Sequence, residues 1–510
     1  MAINVFCIEL GKGHKLEAIL RMSMEYNWNI QYCTSHLQGE VEEKVKERFP
    51  DAVMQDSADA VWGIPPVEYS ELDLVSLDQP FLKKMLFCES IALRMMNRVD
   101  ADGTFDFNKR VRLYYRYLKY WLTILDMHNP EIVIFNSIPH CIYDYVLYVL
   151  CKERGIKTMG YSFTSFSERC VPVHSICEKS PTEVLYEELL KGGNDYHFSL
   201  SPEIQDYINE NKRSRYSDSI APAMVALDTH MEVFNKCTNS FLYRVYDFLK
   251  DMRVLVGSIR RPCKRTIYRI DCKRGEESSF VSFFKLHLFK YKGKRKKRSL
   301  FRYYNRFAVK PDFAKPFLYV ALAYQPELST GPLGDFFVNQ LLMVELLSRA
   351  LPDGWTIYVK EHPHQFLPRL YGELSRSYEF YDDLQILANV KLVPVDTSPF
   401  ELIDNAKAIA TITSNTGFEA IARGIPVLTF GHAWYNGCEG VSYVQTAEEC
   451  REALESIQNG YTIDDDKVKL FMYALEKTSI RAFLYTKIKG NVNISDEESI
   501  RVFMDALRKI

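Results

Sequence analysis

Five short polar clusters in the C-terminal half of the chain each follow a run of apolar residues of strand length. They are residues 324–327 (YQPE), 361–363 (EHP), 396–398 (DTS), 414–417 (SNTG) and 431–434 (GHAW). In an open parallel α/β sheet, ligands bind beyond the carboxyl ends of the strands. The five clusters are therefore expected to meet at one edge of a sheet and to form a binding site there.

The cluster Ser414-Asn415-Thr416-Gly417 lies between a predicted strand and a predicted helix. Free N–H groups at a helix start, together with hydroxyls, bind anions, and the phosphate of a nucleotide fits such a site. Glu419 in the first turn could accept hydrogen bonds from a ribose diol. The alternative is an ordinary helix start, where Ser and Thr cap the helix and the helix dipole favours Glu.

Two more clusters supply a cation, an imidazole and a carboxylate. Lys360, His362 and Pro363 end one predicted strand, where a cation and an imidazole suit a phosphate or a leaving nucleotide. Gln325 and Glu327 follow another, in a glycine-containing loop that would face the cleft between two domains. The Glu327 carboxylate could serve as general base or as nucleophile. The alternatives are a surface turn fixed by proline and a solvated loop acid.

In the N-terminal half, His140 and Asp144 follow a predicted strand at a predicted helix start. Either could bind or activate an acceptor hydroxyl, whereas the alternative is a capping or packing role. The glycine-rich stretch 11–14 matches neither GxGxxG nor the Walker motif. The cysteines lack zinc-site spacing, and we expect neither an obligatory metal nor a cofactor other than the donor substrate.

The pattern of apolar runs predicts an α/β fold with two Rossmann-type, doubly wound domains facing a cleft, joined by a helical basic insertion. The length of 510 residues also favours more than one domain. The expected boundaries are 1–180 for an acceptor domain, 181–314 for the insertion and 315–480 for a nucleotide-sugar domain. A last helix within 481–510 would return to the N-terminal domain.

The stretch 244–310 combines Lys and Arg with interleaved aromatic residues. It has three interpretations: a solvated helical surface, an RNA-binding surface, or a surface that docks on an anionic membrane face. The overall formal charge of −2 argues against a dedicated nucleic-acid binder. With no signal-peptide pattern at the N-terminus, the chain is expected to be cytoplasmic, at the inner face of the membrane if the basic stretch docks there.

Residues 319–441 resemble the capsule polysaccharide biosynthesis family, which includes retaining β-Kdo transferases that use CMP-Kdo. The matching pieces are QPE at 325–327, VKEHP at 359–363, TSNTGFEAIARGIPVLTFG at 413–431, and the Trp434-Tyr435 pair. The resemblance implies a GT-B fold with the donor held mainly by the C-terminal domain. It also implies that Lys360, His362, Ser414, Thr416 and Glu419 contact the nucleotide and that Glu327 lies near the catalytic position.

The expected function is therefore a metal-independent glycosyltransferase of bacterial capsule or surface polysaccharide assembly. It would transfer Kdo or a related acid sugar from a CMP donor to a glycan or lipid-linked acceptor. Two alternatives stay open: a transferase that uses a UDP- or GDP-sugar or a CDP-polyol, and a non-catalytic capsule assembly or export partner. An epimerase of the same two-domain architecture is a further alternative.

Overall fold

The computed structural model describes residues 2–36, 39–100, 105–166, 169–192, 198–213, 240–259, 267–268, 274–275, 280–367, 370–482 and 494–510. The strands in these ranges are β1 Ile3–Ile8, β2 Trp28–Ser35, β3 Val53–Asp56, β4 Ile132–Phe135, β5 Lys157–Phe163, β6 Arg169–Val173, β7 Ile267–Tyr268, β8 Arg274–Gly275, β9 Phe317–Ala321, β10 Thr356–Lys360, β11 Val390–Leu392, β12 Ala408–Thr411, β13 Val427–Thr429, β14 Val441–Tyr443 and β15 Ile480–Arg481.

The helices are α1 His14–Glu25, α2 Glu40–Arg48, α3 Ser57–Ala60, α4 Gln79–Lys84, α5 Leu86–Met95, α6 Phe107–His128, α7 Tyr143–Glu153, α8 Pro181–Lys191, α9 Pro202–Arg213, α10 Phe241–Ile259, α11 Phe280–Phe307, α12 Gln340–Ala350, α13 Tyr378–Ile386, α14 Pro399–Asn405, α15 Thr416–Ala422, α16 Ala447–Gln458, α17 Asp465–Thr478 and α18 Asp496–Leu507. Among these helices, none combines the length and the apolar character needed to cross a bilayer.

The N-terminal sheet has the strand order β15-β6-β5-β4-β1-β2-β3. Strands β1 to β5 are parallel, and β6 and β15 add an antiparallel edge. Successive residues of β1 face opposite sides: Phe6 packs with α6 and α7, whereas Val5 and Cys7 pack with α1 and α18. Both faces are thus covered, which is why the central strands are apolar throughout.

The C-terminal sheet has six parallel strands in the order β11-β10-β9-β12-β13-β14. In β9, Phe317 and Tyr319 face a cluster that includes α14, α15 and α17, while Leu318 and Val320 face α11, α12 and α16. The chain is therefore an α/β protein with two doubly wound, Rossmann-type domains, as the sequence predicted. The sequence pattern identified five of the six strands and missed β14, which is a short edge strand.

Helices α8 and α9 pack on the C-terminal domain, although the sequence prediction places them in the basic insertion. Tyr186, Ile204 and Ile208 are buried in the apolar cluster that contains β9. The Thr182 hydroxyl lies 2.7 Å from the hydroxyl of Thr478 on α17. Apolar residues at helical spacing therefore pack this segment onto the C-terminal core. The polar residues that dominate its composition belong to the solvent-exposed faces of the two helices.

The second half of α11 also belongs to the C-terminal core. Leu300, Phe301 and Tyr304 are buried beneath the C-terminal sheet. The ammonium of Lys297 is buried and pairs with Glu373 at 3.2 Å. The sequence prediction drew the domain boundary after residue 314, whereas the second half of this helix, which ends at Phe307, already packs in the C-terminal core. Only one face of α11 is basic and solvated, and composition alone does not reveal the buried face.

Helix α18 packs against α1 of the N-terminal domain, at the place expected for the last helix. His14 Nε2 lies 3.1 Å from Asp496 Oδ1, and Arg508 pairs with Glu25 at 2.9 Å. Phe503 is fully buried in the α1 cluster. The chain therefore returns from the second domain to the first through β15 and this helix.

Candidate functional site

The loops that follow β9 and β12 meet at the carboxyl edge of the C-terminal sheet. These two strands are neighbours at the point where the strand order reverses, since β10 and β11 lie on one side of β9 and β12 to β14 on the other. The Thr413 hydroxyl donates a 2.7 Å hydrogen bond to the Ser329 carbonyl and joins the two loops. A reversal of strand order opens a crevice for a ligand in doubly wound sheets.

In the structure the Ser414–Gly417 cluster forms the turn at the start of α15, whose N-cap residue Asn415 makes no side-chain capping hydrogen bond. The Ser414 Oγ accepts from the Thr416 N–H at 3.3 Å and lies 3.1 Å from the Thr416 hydroxyl. Asn415 is exposed, and its Oδ1 accepts a 3.1 Å hydrogen bond from the Trp434 indole. Ser414, one residue before the N-cap, thus satisfies one N–H group of the first turn, and the two hydroxyls lie side by side at the helix start.

Gly417 has a packing role at this turn. A Cβ at this position would lie 2.1 Å from the hydroxyl oxygen of Tyr435. That hydroxyl donates a 2.5 Å hydrogen bond to the Ser414 carbonyl. The absence of a side chain at residue 417 therefore lets the buried Tyr435 hold the turn that presents Ser414.

Glu419 is partly buried in the first turn of α15. Burial raises the pKa of its carboxyl to about 7, and the charge of Arg423 opposes that rise. Its charge also raises the pKa of Tyr207, Tyr319 and Tyr435, each a smaller effect than the burial of that tyrosine, so the carboxyl lies among these three phenols. A carboxyl with this pKa is close to half ionised at neutral pH and is ready to accept a hydrogen bond from a ligand hydroxyl.

Lys360 ends β10 with its ammonium almost fully buried. Burial lowers the pKa of this ammonium to about 8, and the nearby carboxylates of Asp396 and Glu361 partly offset the burial. In the part of the chain that the structure describes, the ammonium makes no ion pair within 4.0 Å. A buried cation that lacks a close anion favours the binding of one.

His362 is a neutral imidazole in the structure. Burial lowers its pKa to about 3, and the charges of Lys360 and Arg376 add to this effect. Its Nδ1 accepts a 3.1 Å hydrogen bond from the His364 N–H, at the start of the short helix Pro363–Phe366. Pro363 occupies the first position of that helix, which suits proline. The imidazole can therefore donate through Nε2 but adds no positive charge.

Gln325 belongs to a buried polar network under the cleft. Its Oε1 accepts a 2.7 Å hydrogen bond from Arg376, and its backbone N–H donates to Gln365 Oε1 at 3.1 Å. The Arg376 guanidinium also pairs with the fully buried Glu361 at 2.7 Å. The Arg376 cation and the Glu361 anion neutralise each other, and Gln325 is hydrogen-bonded to Arg376. Gln325 therefore positions the loop after β9 and does not offer a free polar group to a ligand.

A cleft of about 720 Å³, part of it open to solvent, lies between the two domains. The C-terminal domain contributes Glu327 and Arg376 to its lining, and the N-terminal domain contributes Arg94 and Arg98. Glu327 is exposed, and its Oε2 accepts a 3.2 Å hydrogen bond from the Ser329 hydroxyl. The predicted catalytic carboxylate thus faces the cleft beside cationic side chains.

His140 lies in the loop after β4 and is joined to the cleft by Arg98, a lining residue whose Nη1 donates a 2.7 Å hydrogen bond to the His140 carbonyl. Its Nδ1 is 2.7 Å from the Ile138 carbonyl, so Nδ1 carries the proton and Nε2 keeps its lone pair. Burial lowers the pKa of the imidazole, with a smaller contribution from the charge of Arg98. A neutral imidazole with a fixed tautomer is suited to accept a proton from an acceptor hydroxyl.

Asp144 is buried at the start of α7, and its geometry matches the capping alternative. Its two oxygens accept from the backbone N–H groups of His140, Cys141 and Tyr145 at 2.6 to 3.0 Å. Burial and the charge of Glu9 raise the pKa of its carboxyl to about 7. His140, Cys141 and Asp144 could place ligand atoms within 4.8 Å of one another, but the three N–H donors already occupy the carboxylate.

Glu9 is a site residue that sequence reasoning missed. It follows β1, next to β4 at the reversal point of the N-terminal sheet, and has a left-handed backbone with φ of 58°. Its carboxylate accepts a short hydrogen bond from the Tyr143 hydroxyl, and its N–H donates to Thr34 Oγ1 at 2.7 Å. A non-glycine residue in this conformation stores strain, which is common at functional sites.

Arg98 and Arg376 were also missed, because their roles depend on distant partners. In the sequence, Arg98 is merely a basic residue at the end of a helical stretch, and Arg376 lies in a polar segment between two elements. No local spacing marks either residue. For Glu9, by contrast, the sequence held one local signal, because the glycine-rich stretch 11–14 belongs to the loop that follows it.

The fold and the polar edges described above define a two-domain α/β protein in which the strand order of each sheet reverses once. Residues 334–481 match the family model described as capsule polysaccharide biosynthesis protein. The resemblance to this family that the sequence indicated is therefore confirmed over residues 334–481.

Among curated proteins, the chain is similar to the capsule polysaccharide modification protein LipA of Neisseria meningitidis serogroup A. The two are 33% identical over 81 residues, which is 16% of this chain and 10% of LipA. The chain therefore spans about a tenth of the length of the curated relatives it matches.

Two solved structures align over most of the chain. The β-Kdo 2,7 transferase KpsC of Thermosulfurimonas dismutans is 11% identical, with 93% of this chain and 99% of that chain covered and a TM-score of 0.32. The UDP-GlcNAc 2-epimerase of Methanocaldococcus jannaschii is 12% identical, with 94% and 99% covered and a TM-score of 0.25.

Proposed function

We propose that this chain is a glycosyltransferase of capsule or surface polysaccharide biosynthesis. It takes a sugar from a nucleotide donor bound by the C-terminal domain and transfers it to a glycan or lipid-linked acceptor bound against the N-terminal domain. The observation that supports this most strongly is the cleft between the two domains, which the loop after β9 with Glu327 lines from one side and residues of the stretch 91–98 line from the other. The family match over residues 334–481 supports the biosynthetic setting.

The donor nucleotide has a set of complementary groups at the C-terminal edge. Its phosphate would lie against the Ser414 and Thr416 hydroxyls at the start of α15, where the helix dipole favours an anion. Lys360 would add the charge that a leaving nucleotide needs, and neutral His362 would add one hydrogen bond through Nε2. The Glu419 carboxylate would accept from the ribose hydroxyls.

The reacting sugar would lie in the cleft, next to Glu327. This carboxylate would act either as general base on the acceptor hydroxyl or as nucleophile at the sugar carbon, and Arg98 beside it would stabilise negative charge. With Glu327 as nucleophile, the nucleotide would leave from the sugar carbon, and His140 would then accept the proton of the acceptor hydroxyl through its Nε2. Closure of the domains over the donor would exclude water, so that transfer prevails over hydrolysis.

A CMP-linked acid sugar is the donor that we propose first, because the sequence resemblance extends through the nucleotide-binding segment 413–431. The test is a thermal-shift series with CMP, CDP, UDP, GDP and NAD, since a ligand that binds only the folded protein raises its melting temperature. Stabilisation by CMP that is lost in Ser414→Ala and Lys360→Met supports the proposal. Arg451→Met, an exposed position on α16, is the matched control.

The same series distinguishes the remaining possibilities. Selective stabilisation by UDP, GDP or CDP keeps the transferase but replaces its donor. The absence of a shift with every nucleotide contradicts the enzyme proposal and favours a non-catalytic partner in capsule assembly. Release of nucleotide from a stabilising sugar nucleotide, measured with and without acceptor glycan, then tests transfer itself.

A further inference from the structure

Helix α10 presents a broad apolar face to solvent. Eight of its large apolar side chains are between 37% and 79% exposed: Phe241, Leu242, Val245, Tyr246, Phe248, Leu249, Met252 and Val256. At 100° per residue these positions fall within one arc of about 160° of the helix circumference. We call them the α10 apolar face. A contiguous exposed patch of this kind marks a surface that binds a partner.

The neighbouring helix α11 places positive charge beside this face. Its sequence contains ten Lys and Arg residues and no Asp or Glu. Lys290, Lys292, Arg295 and Lys296 are exposed. The two helices touch where the rings of Phe248 and Tyr291 pack at 6.4 Å, and the Arg295 guanidinium lies 5.8 Å from the Tyr291 ring. The cations therefore lie next to the apolar face, not on a remote surface.

We propose that the α10 apolar face and the exposed cations of α11 dock on an anionic lipid bilayer. The apolar side chains would enter the boundary between headgroups and acyl chains, and the cations would lie against the lipid phosphates. This inference does not depend on the glycosyltransferase activity, because none of the described residues of α10 or α11 lines the cleft.

Charge complementarity favours a lipid surface over the other occupants. A second copy of the chain docked through the same surface would bring two acid-free α11 helices together, and like charges repel. A nucleic acid would satisfy the cations but leave Leu242, Val245 and Val256 without an apolar partner. An anionic bilayer satisfies both kinds of side chain, and it needs no matching shape.

Docking would also place the cleft near the membrane. The second half of α11 is fixed in the C-terminal core by the buried Lys297–Glu373 pair and by Tyr304, whose hydroxyl donates a 2.5 Å hydrogen bond to the Val393 carbonyl. The helix is therefore a continuous connection between the docking surface and the domain that contains β10 and β12. A lipid-linked acceptor would then be held close to the enzyme.

The test is flotation of the full chain with phosphatidylcholine vesicles and with vesicles that also contain phosphatidylglycerol. The triple variant Leu242→Ser, Leu249→Ser, Val256→Ser removes part of the apolar face. The triple variant Lys290→Gln, Lys292→Gln, Lys296→Gln removes three exposed charges. Matched controls are Val67→Ser with Ile386→Ser, at positions 85% and 77% exposed elsewhere, and Lys310→Gln with Lys391→Gln and Lys407→Gln.

We expect binding to the anionic vesicles that weakens as salt is raised. Each Lys removed should lower the partition coefficient about fivefold, so that the charge variant loses about a hundredfold. The apolar variant should lose at least tenfold, and both controls should bind like the wild type. Melting temperatures and nucleotide-induced thermal shifts of all variants establish that the fold and the cleft are unchanged.

Three results would overturn the proposal. One is the absence of binding to anionic vesicles by the folded wild-type chain. Another is equal binding by the wild type and both surface variants. The third is a wild-type dimer in light scattering that becomes a monomer in the apolar variant, without vesicle binding by either, which would assign the α10 apolar face to self-association.

Discussion

Arg98 joins the two domains through the backbone that carries His140. Its Nη1 donates a 2.7 Å hydrogen bond to the His140 carbonyl, and its Nη2 donates a 2.5 Å hydrogen bond to the Gly331 carbonyl across the cleft. The first acceptor belongs to the loop after β4 and the second to the loop after β9. One guanidinium therefore sets the distance between the two loops that border the site.

Removing this guanidinium should loosen the contact between the domains. We expect Arg98→Gln to lower the free energy of unfolding by about 2–3 kcal/mol, the range for hydrogen bonds from a charged group. Urea denaturation followed by tryptophan fluorescence measures the change. Arg94→Gln, at an exposed position on the same side of the cleft, serves as control. Equal loss in both variants would show that Arg98 has no special linking role.

The buried pair of Glu361 and Arg376 should be costly to break. Arg376→Met leaves the Glu361 carboxylate buried without its cation, and we expect a loss of about 3–5 kcal/mol in the free energy of unfolding. Arg451→Met, which breaks the exposed pair with Glu448, should cost about 0–1 kcal/mol. The measurement is chemical denaturation of each variant. A loss as small as that of the control would mean that the pair is already solvated.

Nucleotide affinity should have a maximum near neutral pH. Burial raises the pKa of Glu419 to about 7, so its carboxylate gains charge, and accepts ribose hydroxyls better, as the pH rises through 7. Burial lowers the pKa of Lys360 to about 8, so its attraction for phosphate is lost as the pH rises through 8. Isothermal titration across this range should give a bell-shaped affinity.

Two variants separate the limbs of that profile. Glu419→Gln should abolish the acidic limb and keep the alkaline one, whereas Lys360→Met should weaken binding and flatten the alkaline limb. Protein–nucleotide titrations at a constant ionic strength provide the comparison. If the bell-shaped pH dependence of the affinity stays unchanged in both variants, the titrating groups are others, such as the nucleotide phosphate.

Glu327→Gln should stop turnover while preserving donor binding. The side chain is exposed at the cleft and supports no buried network, so the substitution should change the melting temperature little. A catalytic carboxylate contributes a factor of about 10²–10⁴ to the rate. Ser329→Ala, which removes only the hydroxyl bonded to Glu327, is the companion variant. Turnover at the wild-type rate in Glu327→Gln would exclude its catalytic role.

Gly417→Ala should disturb the turn that presents Ser414. The added Cβ would lie 2.1 Å from the Tyr435 hydroxyl oxygen, so the buried tyrosine must move. Overpacking of this kind costs about 1–3 kcal/mol, and nucleotide binding should weaken with it. Gly11→Ala is the control, since its Cβ would meet only Asn136 Nδ2 at 3.8 Å. Wild-type stability and affinity in Gly417→Ala would show that Tyr435 can shift freely.

The strands and polar clusters of the C-terminal domain could be predicted because their signals are local. Each apolar run ends at a polar cluster, and parallel strands bring their carboxyl ends to one edge. The roles of individual side chains in those clusters could not be predicted in this way. Gln325 and Asp144 look like ligand-binding groups in the sequence, yet their side chains are hydrogen-bonded to the scaffold.

The domain limits were harder to predict than the elements. The composition of the sequence predicted that α8, α9 and all of α11 belong to one basic insertion. In a helix that buries only a minority of its positions, charged residues dominate the composition and hide the buried face. The structure instead buries Tyr186 and Tyr304 in the C-terminal core. Which face of a helix is buried depends on the partner that it meets, and that partner is distant in the sequence.

The sequence by itself determined the fold class, the parallel order implied by alternating strands and helices, and the family to which residues 334–481 are similar. Apolar periodicity and turn residues are properties of short stretches of sequence, so they can be recognised without knowing which distant residues are in contact. Only the tertiary structure decided that Arg98 spans the cleft, that Arg376 neutralises Glu361 and that Glu9 lies beside Tyr143. Charges and hydrogen bonds act over a few ångströms, and these partners, which are 15 to 233 positions apart in the sequence, reach that distance only when the chain is folded.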